Sequence, residues 1–358
     1  MRIIHLIGDI NIAESGPTQS VNCIVDGFSK YQKNSFTLEL WTFSSSETLP
    51  EHIKSFKPRK KLFYFSWSFT KKIWKERKSI DIIHLHGMWL YFHFYILFIA
   101  FFSKIKVVLS PRGSFAIEAL KQGKNFTKKI LLNVIKILLY KVNAFHATSD
   151  QEKKDILRIY KNAKIFNVPN CINSNDINFN NKNDFENKFI WIGRLHPIKN
   201  LEFLLETFNE KKNLNLEVYG PINSDYSIKL CNHFKSNNIK FMNNLTVKSK
   251  NITISKSKFL VMTSFSENFG IVILESLIQG TPVIVSDALP WKDIEDYSAG
   301  FTYKANDQLD FISKLELANK MTDSDYLKYS NNAKNYAYEK FSQQSVVKNL
   351  KEMYLCLV

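Results

Sequence analysis

The stretch from Ser264 to Trp291, SFSENFGIVILESLIQGTPVIVSDALPW, constrains the fold more tightly than any other part of the chain. It reads as loop, helix, loop and strand. Residues Phe269 to Gln279 carry the helix, and Gly280 stands where a left-handed C-terminal cap belongs. Pro282 blocks continuation of the helix. Val283-Ile284-Val285 is wholly apolar, as buried parallel strands are. Glu267 precedes the helix and Glu275 lies within it, eight positions on. Between them Gly270 lets the first turn approach a ligand closely. The free N–H groups of such a turn suit an anion, most often a phosphate. A carboxylate beside a phosphate seat repels it unless the carboxylate bonds hydroxyls instead, and sugars supply hydroxyls. The pattern therefore predicts a nucleotide-sugar site.

The run E-N-F-G-I-V-I-L-E-S-L-x-x-G-T-P-V-I resembles the E-x7-E motif of retaining glycosyltransferases of the GT-B fold, family 4, of the type that assembles bacterial cell-surface polysaccharides. The resemblance implies an α/β chain with two Rossmann-like domains facing each other across a cleft. The competing reading is an amphipathic helix packed on a parallel strand, with two surface glutamates.

At 358 residues the chain is long enough for two domains, each able to bury a core. Cys23, Cys171, Cys231 and Cys356 have no metal-type spacing, which fits reduced cytosolic thiols. No secretory leader is visible, because Met1-Arg2 runs directly into a strand-like segment. The charge is uneven. Residues 1–170 hold 27 Lys and Arg against 12 Asp and Glu, whereas residues 171–358 hold 22 against 21. The basic half carries Lys57-Pro58-Arg59-Lys60-Lys61, Lys71-Lys72 to Lys78, and Lys128-Lys129. Phe63, Tyr64, Phe65, Trp67, Phe69 and Trp74 lie among these clusters. Such a surface suits an anionic membrane or a diphosphate-bearing substrate; a merely solvated face is the alternative.

From the N-terminus, Arg2 to Ile7 reads as a strand, followed by a loop with Ser15-Gly16-Pro17 and a helix through Val21, Ile24 and Phe28. That opening is Rossmann-like. It resembles the family's glycine loop under the donor phosphates, with Ser15 in place of its first glycine, so Gly16 is the expected donor contact. Phe36–Phe43 and 61–65 read as strands, then Ile80–Leu85, leading into His84-Leu85-His86-Gly87. Alternation puts His84 and His86 on one side, with no third metal ligand at useful spacing. By resemblance His86 contacts a hydroxyl of the donor sugar. Met88–Phe102 is a 15-residue apolar run, too short to span a bilayer. It is read as a buried helix, or as one in partial contact with lipid.

Lys106–Leu109 is a strand before Ser110-Pro111-Arg112-Gly113. Arg112 offers a fork of donors and, by resemblance to polysaccharide-assembly transferases, is expected to hold the acceptor. Residues 126–142 form an amphipathic lysine-rich pattern, read either as a bilayer-docking helix or as an ordinary surface helix. Phe145–Ser149 reads as a strand. Residues 1–170 are expected to form the acceptor-binding domain and 171–187 a linker. Residues 188–341 are expected to bind the nucleotide sugar, with the last helix, 342–358, crossing back to the first domain.

Phe189–Ile192 opens the second αβ half, and Gly193-Arg194-Leu195-His196-Pro197-Ile198-Lys199 follows. G-R-L-x-x-x-K resembles the family's phosphate clamp. The resemblance makes Arg194 and Lys199 the cations for the departing diphosphate, with the backbone at Gly193, Asn268, Phe269 and Gly270 lining the donor. Glu275 takes the ribose hydroxyls and Glu267 those of the sugar. No D-x-D metal motif is seen beside the clamp or the E-x7-E run, so a metal-independent reaction of a UDP- or GDP-sugar is expected. The expected acceptor is lipid-linked or an oligosaccharide, in O-antigen, capsule or exopolysaccharide assembly on the inner face of the cytoplasmic membrane. A nucleic-acid-binding protein or an inactive scaffold are the alternatives. The first shows no binding motif and leaves E-x7-E unexplained; the second rests on Ser15. The role of the run Pro290–Glu295 is not derivable at this level.

Overall fold

Strands of three to seven residues alternate with helices along the chain, and both sheets they form are wholly parallel. The computed structural model describes residues 1–9, 16–32, 35–43, 53–58, 64–121, 135–172 and 185–358. It divides into two compact units, Met1–Cys171 with Gln343–Val358, and Ile172–Ser342.

The first unit carries β1 (Arg2–Leu6), β2 (Thr37–Thr42), β3 (Ile53–Ser55), β4 (Ile82–His86), β5 (Lys106–Ser110), β6 (Val142–Ala147) and β7 (Ile165–Asn167). Their spatial order is β3-β2-β1-β4-β5-β6-β7. The helices are α1 (Gly16–Tyr31), α2 (Trp67–Glu76), α3 (Tyr91–Ala100), α4 (Ile117–Lys121) and α5 (Asp150–Ile159). The second unit carries β8 (Glu186–Ile192), β9 (Leu216–Tyr219), β10 (Ile239–Met242), β11 (Ser257–Met262), β12 (Val283–Ser286) and β13 (Gly300–Tyr303), in the order β10-β9-β8-β11-β12-β13. Its helices are α6 (Leu201–Glu210), α7 (Asp225–His233), α8 (Val247–Ser255), α9 (Ile271–Ile278), α10 (Gln308–Lys320) and α11 (Asp323–Phe341). The final helix, α12 (Gln343–Leu355), belongs to the first unit.

Central strands such as β4, β11 and β12 are buried along their whole length, as helices on both sheet faces require. In each unit the strand order reverses once, between β1 and β4 and between β8 and β11. Open parallel sheets bind ligands just beyond the strand C-termini at such a reversal. His86 ends β4, and Gly193 and Thr263 follow β8 and β11, so candidate residues of both units stand at these points.

Helix α12 is held to the first unit by an apolar seam. Val346, Val347, Leu350, Met353 and Tyr354 join Ile24 and Phe28 in one buried cluster. Gln343 Nε2 donates to the Cys23 carbonyl at 2.8 Å. Cys23 and Cys171, 148 residues apart in sequence, lie with sulfurs 2.6 Å apart, a neighbourhood that spacing along the chain does not show.

Several element bounds differ from the sequence reading. The strand expected at residues 61–65 falls largely outside the described residues; the outer strand is Ile53–Ser55, too short to show alternation. Strand β6 starts at Val142 and ends at Ala147, so the helical pattern expected over 126–142 stops earlier, at residue 139, and residues 122–134 lie outside the description. Strand β8 begins at Glu186, because Glu186 and Lys188 are carried into it although their polarity resembles a linker's. The run from Pro290 is structural. Trp291 is buried and donates to the Phe269 carbonyl at 2.6 Å, Asp293 pairs with Lys340, and Glu295 with Lys314.

Candidate active site

In the second unit two loops meet at the β8–β11 reversal. The first is residues 193–200, leaving β8 through a single 3-10 turn, Pro197–Lys199, into α6. The second is residues 263–270, leading from β11 into α9. Backbone and hydroxyl hydrogen bonds tie them together. Phe265 N donates to the Ile198 carbonyl at 3.0 Å, and Thr263 Oγ1 donates to those of Lys199 and Asn200 at 3.1 and 3.2 Å. The result places Lys199 Nζ 2.5 Å from Glu267 Oε1, with side chains only 16% and 12% exposed. Ser264 Oγ donates to the same carboxylate oxygen at 2.9 Å. Arg194 is exposed on the first loop and has no ion pair or hydrogen bond among the described residues. One cation is thus held and the other is a free arm.

Gly270 caps α9 in the left-handed conformation, φ +80°, and as a glycine offers that helix end no side-chain cap. A bulkier residue there would be strained, and its Cβ would press on Ile273 at 3.0 Å. The helix N-terminus therefore presents backbone amides and its positive dipole end to an anion. Phe269 is 6% exposed and packs against Trp291 and Phe341, so it offers backbone and no side chain. Asn268 is half-buried beside it. One turn into the helix, Glu275 pairs with Lys250 of α8, both side chains nearly buried. Lys250 is a residue the sequence reading missed; nothing local links positions 25 apart. At the other end Gly280 is left-handed, φ +69°.

Gly193 contributes shape. Its N–H is spent on the Tyr219 carbonyl at 3.0 Å, and its own carbonyl sits 2.0 Å from where a Cβ on Gly220 would stand. Gly220→Ala is expected to destabilise the protein by about 3 kcal/mol, the upper end for overpacking, because the obstacle is backbone. Urea unfolding checks this; an unchanged midpoint would show that the loop yields freely.

In the first unit, Gly16 opens α1, while Ser15 and the rest of residues 10–15 lie outside the described residues. His86 is 3% exposed. Its Nε2 lies 2.9 Å from His5 Nδ1 and its Nδ1 3.4 Å from Arg112 Nη2. Arg112 has φ +53° and turns inward: Nη1 donates to Ser20 Oγ at 2.9 Å and to Asn170 Oδ1. The guanidinium fork that the sequence assigns to an acceptor is thus engaged within its own unit. His5, His84 and His86 offer ring nitrogens within 4.8 Å of one another. The third histidine escapes a search along β4, because His5 is brought beside His84 by the β1–β4 register. Burial, followed by the nearby His146 and Arg112, lowers the His5 pKa to about 3. Burial also lowers His146 to about 3 and drives His84 and His86 well below the ordinary value.

The family model described as Glycosyltransferase Family 4 matches residues 28–176, and that described as Glycosyl transferases group 1 matches residues 173–340. With two Rossmann-like parallel sheets, the chain belongs to the glycosyltransferases of the GT-B fold. The O-antigen chain mannosyltransferase of Salmonella typhimurium is 30% identical over 145 residues, 38% of this chain and 39% of that protein. The match thus spans well under half the length of that relative. Sucrose-phosphate synthase from Thermosynechococcus elongatus superposes with a TM-score of 0.76 at 15% identity, covering 100% of this chain and 99% of that one. Anabaena HepE in complex with UDP and glucose gives 0.73 at 16% identity, covering 99% and 100%. At such identities the structural likeness concerns the fold.

Proposed function

We propose that this chain transfers a sugar from a UDP- or GDP-linked donor to a lipid-linked or oligosaccharide acceptor, with retention, in O-antigen, capsule or exopolysaccharide assembly. The observation that carries the reading is the Lys199–Glu267 pair, held at 2.5 Å beside the glycine-capped N-terminus of α9. In the reaction the bond between the anomeric carbon and the diphosphate breaks, and its electron pair stays on phosphate oxygen. A bond forms from the acceptor oxygen to the anomeric carbon, and the acceptor proton passes to the departing phosphate. Lys199, Arg194 and the α9 amides stabilise that oxygen as its charge grows. Glu267 accepts from the sugar hydroxyls and Glu275 from the ribose. His86 contacts the sugar, and the basic first unit holds the acceptor. The mannosyltransferase relative and the UDP complex of HepE support this class of donor and acceptor.

The held Lys199 and the free Arg194 serve where a divalent ion otherwise would, so turnover is expected to survive EDTA unchanged. A thermal-shift screen against UDP, GDP and their sugars tests the donor assignment. One class should raise Tm in a concentration-dependent way, and no shift with any of them contradicts it.

The reading places the enzyme on the inner face of the cytoplasmic membrane, docked through the first unit. No helix among the described residues is long and apolar enough to cross a membrane. Trp74, Phe98, Phe101 and Phe102 are exposed. Arg77 lies 4.0 Å over the Trp74 ring and Lys141 4.7 Å over that of Phe101. A cavity of about 660 Å³ beside them is lined by Arg77, Lys78, Phe102, Lys104 and Lys106. Cations near an anionic surface contribute about 1 kcal/mol each. Reversing Lys78 and Lys104 to Glu is therefore expected to weaken binding to phosphatidylglycerol vesicles by more than tenfold. Co-sedimentation that is the same for both proteins would remove this surface from the account.

A further inference from the structure

The histidines of the first unit form one continuous hydrogen-bonded chain, and its two ends determine where every proton sits. At one end His146 Nε2 lies 2.8 Å from the Val168 carbonyl, which only accepts, so Nε2 carries the hydrogen. His146 Nδ1 is then a lone pair, and it faces His84 Nε2 at 3.3 Å, which must donate. That leaves His84 Nδ1 as an acceptor, 2.7 Å from the Tyr354 hydroxyl. Having donated to His84, the Tyr354 oxygen accepts from His5 Nε2 at 2.9 Å. His5 Nδ1 is therefore a lone pair and receives His86 Nε2–H at 2.9 Å. His86 Nδ1 is left as an acceptor. At this far end stands Arg112 Nη2, 3.4 Å away, which can only donate. Read from either end, the chain gives the same answer with no link facing donor to donor.

His93 agrees independently. Its Nε2 lies 3.1 Å from the His86 carbonyl, which only accepts, so Nδ1 of the neutral ring takes the Leu90 N–H at 3.2 Å, with the Leu90 carbonyl at 3.3 Å. All five rings are thus neutral and protonated at Nε2. The lone pairs that a metal would need at His5, His84 and His86 are already used. Groups facing the chain are Arg112 beyond β5, Tyr354 on α12 and His93 on α3, and Arg112 is in turn faced by Cys171 after β7 and Glu152 on α5, the last bonded to Gly113 N at 2.8 Å. Burial lowers the pKa of every one of the five histidines.

We infer that Tyr354, from the last helix, is a positioning residue for His86. Its hydroxyl joins the two halves of the chain, donating to His84 and accepting from His5, and so holds His5 where it receives His86 Nε2–H and leaves His86 Nδ1 as a hydrogen-bond acceptor. The 3.4 Å contact to Arg112 is the longest of the chain, so this is the end that a ligand displaces. What His86 then recognises is an O–H donor, a sugar hydroxyl, and not an anion. That last step rests on the proposed transferase activity; the proton assignment does not.

The test is two-bond ¹H–¹⁵N correlation of histidine-labelled full-length protein, on the wild type and on Tyr354→Phe. In the wild type all five buried rings are expected as neutral Nε2–H tautomers from pH 7 to pH 5. Tyr354→Phe is expected to leave the His5 Nε2–H without its acceptor, to shift the His5 and His86 ring resonances while Arg112 holds their tautomers, and to lower kcat about tenfold, with the donor KM little changed. A buried imidazolium or an Nδ1–H ring among the five in the wild type overturns the inference, whether or not Tyr354→Phe folds. Stoichiometric Zn²⁺ binding that shifts His5, His84 and His86 together overturns it too. So does a folded Tyr354→Phe with unchanged His5 and His86 resonances and unchanged kcat. Loss of nucleotide binding in the thermal-shift screen would instead count against the donor assignment and leave the tautomers as they are.

Discussion

Lys199→Ala is expected to lower kcat for sugar transfer by about 10²- to 10³-fold, with a much smaller change in KM for the donor. The reason is when the interaction is made. In the resting protein the ammonium is neutralised by Glu267 at 2.5 Å. The charge that the ammonium stabilises best, on the departing phosphate oxygen, appears only as the glycosidic bond breaks. With both side chains more than four-fifths shielded, solvent cannot substitute for it. Removing Lys199 also strands the Glu267 carboxylate beside the diphosphate, adding repulsion. Glu267→Gln in the Lys199→Ala background should therefore restore part of the loss, and the two changes should be strongly non-additive. Arg194→Ala should lower turnover in the same direction. A kinetic double-mutant cycle with the true donor measures this. Near-normal turnover in both single cation variants would reject the assignment.

Lowering the pH from 7 to 5 is expected to remove about 4 kcal/mol of stability through His5 and His146 alone. Their folded pKa values lie at about 3, against an ordinary value of 6.5. Below pH 6.5 the unfolded chain takes up protons that the folded one refuses. Each ring then costs about 1.4 kcal/mol per pH unit until its folded pKa is reached. Stability is thus full above pH 6.5 and falls steadily towards pH 3. Carboxylates do not confuse this window. Glu39, hydrogen-bonded by Arg2 and Lys54, has its pKa lowered to about 2, and such groups weaken folding only at pH values below the ordinary 4.5. Denaturant unfolding at pH 7, 6 and 5 reads the slope, and His146→Gln should flatten it. A stability independent of pH over this range would mean that the rings are solvated.

What could be read from the chain, and what could not, divides by sequence separation. The α9 seat is local: Gly270, Gly280 and Pro282 act through their own φ angles and a missing N–H, so the helix and its ends were legible. Runs such as Val283–Val285 announce buried strands because both faces of a parallel sheet are covered. Pairing across the sheet was not legible. Lys250 beside Glu275, Trp291 under Phe269, His5 beside His86 and Tyr354 beside His84 are set by register and helix packing between residues 22 to 270 apart. Polar strand starts were misjudged for a related reason. Lys188 in β8 is neutralised by Glu186 and Glu217, and the latter lies on the neighbouring strand β9. Composition alone made that segment resemble a loop.

The central claim is that the loops after β8 and β11 seat a nucleoside diphosphate between a held cation, a free cation and a helix end. Calorimetric titration of UDP and GDP into the wild type and into the Arg194→Ala/Lys199→Ala double variant tests it most directly. The account predicts saturable one-site binding of one nucleotide by the wild type, weakened at least 100-fold in the double variant. Equal affinity in the two proteins, or no heat of binding in the wild type, would contradict it.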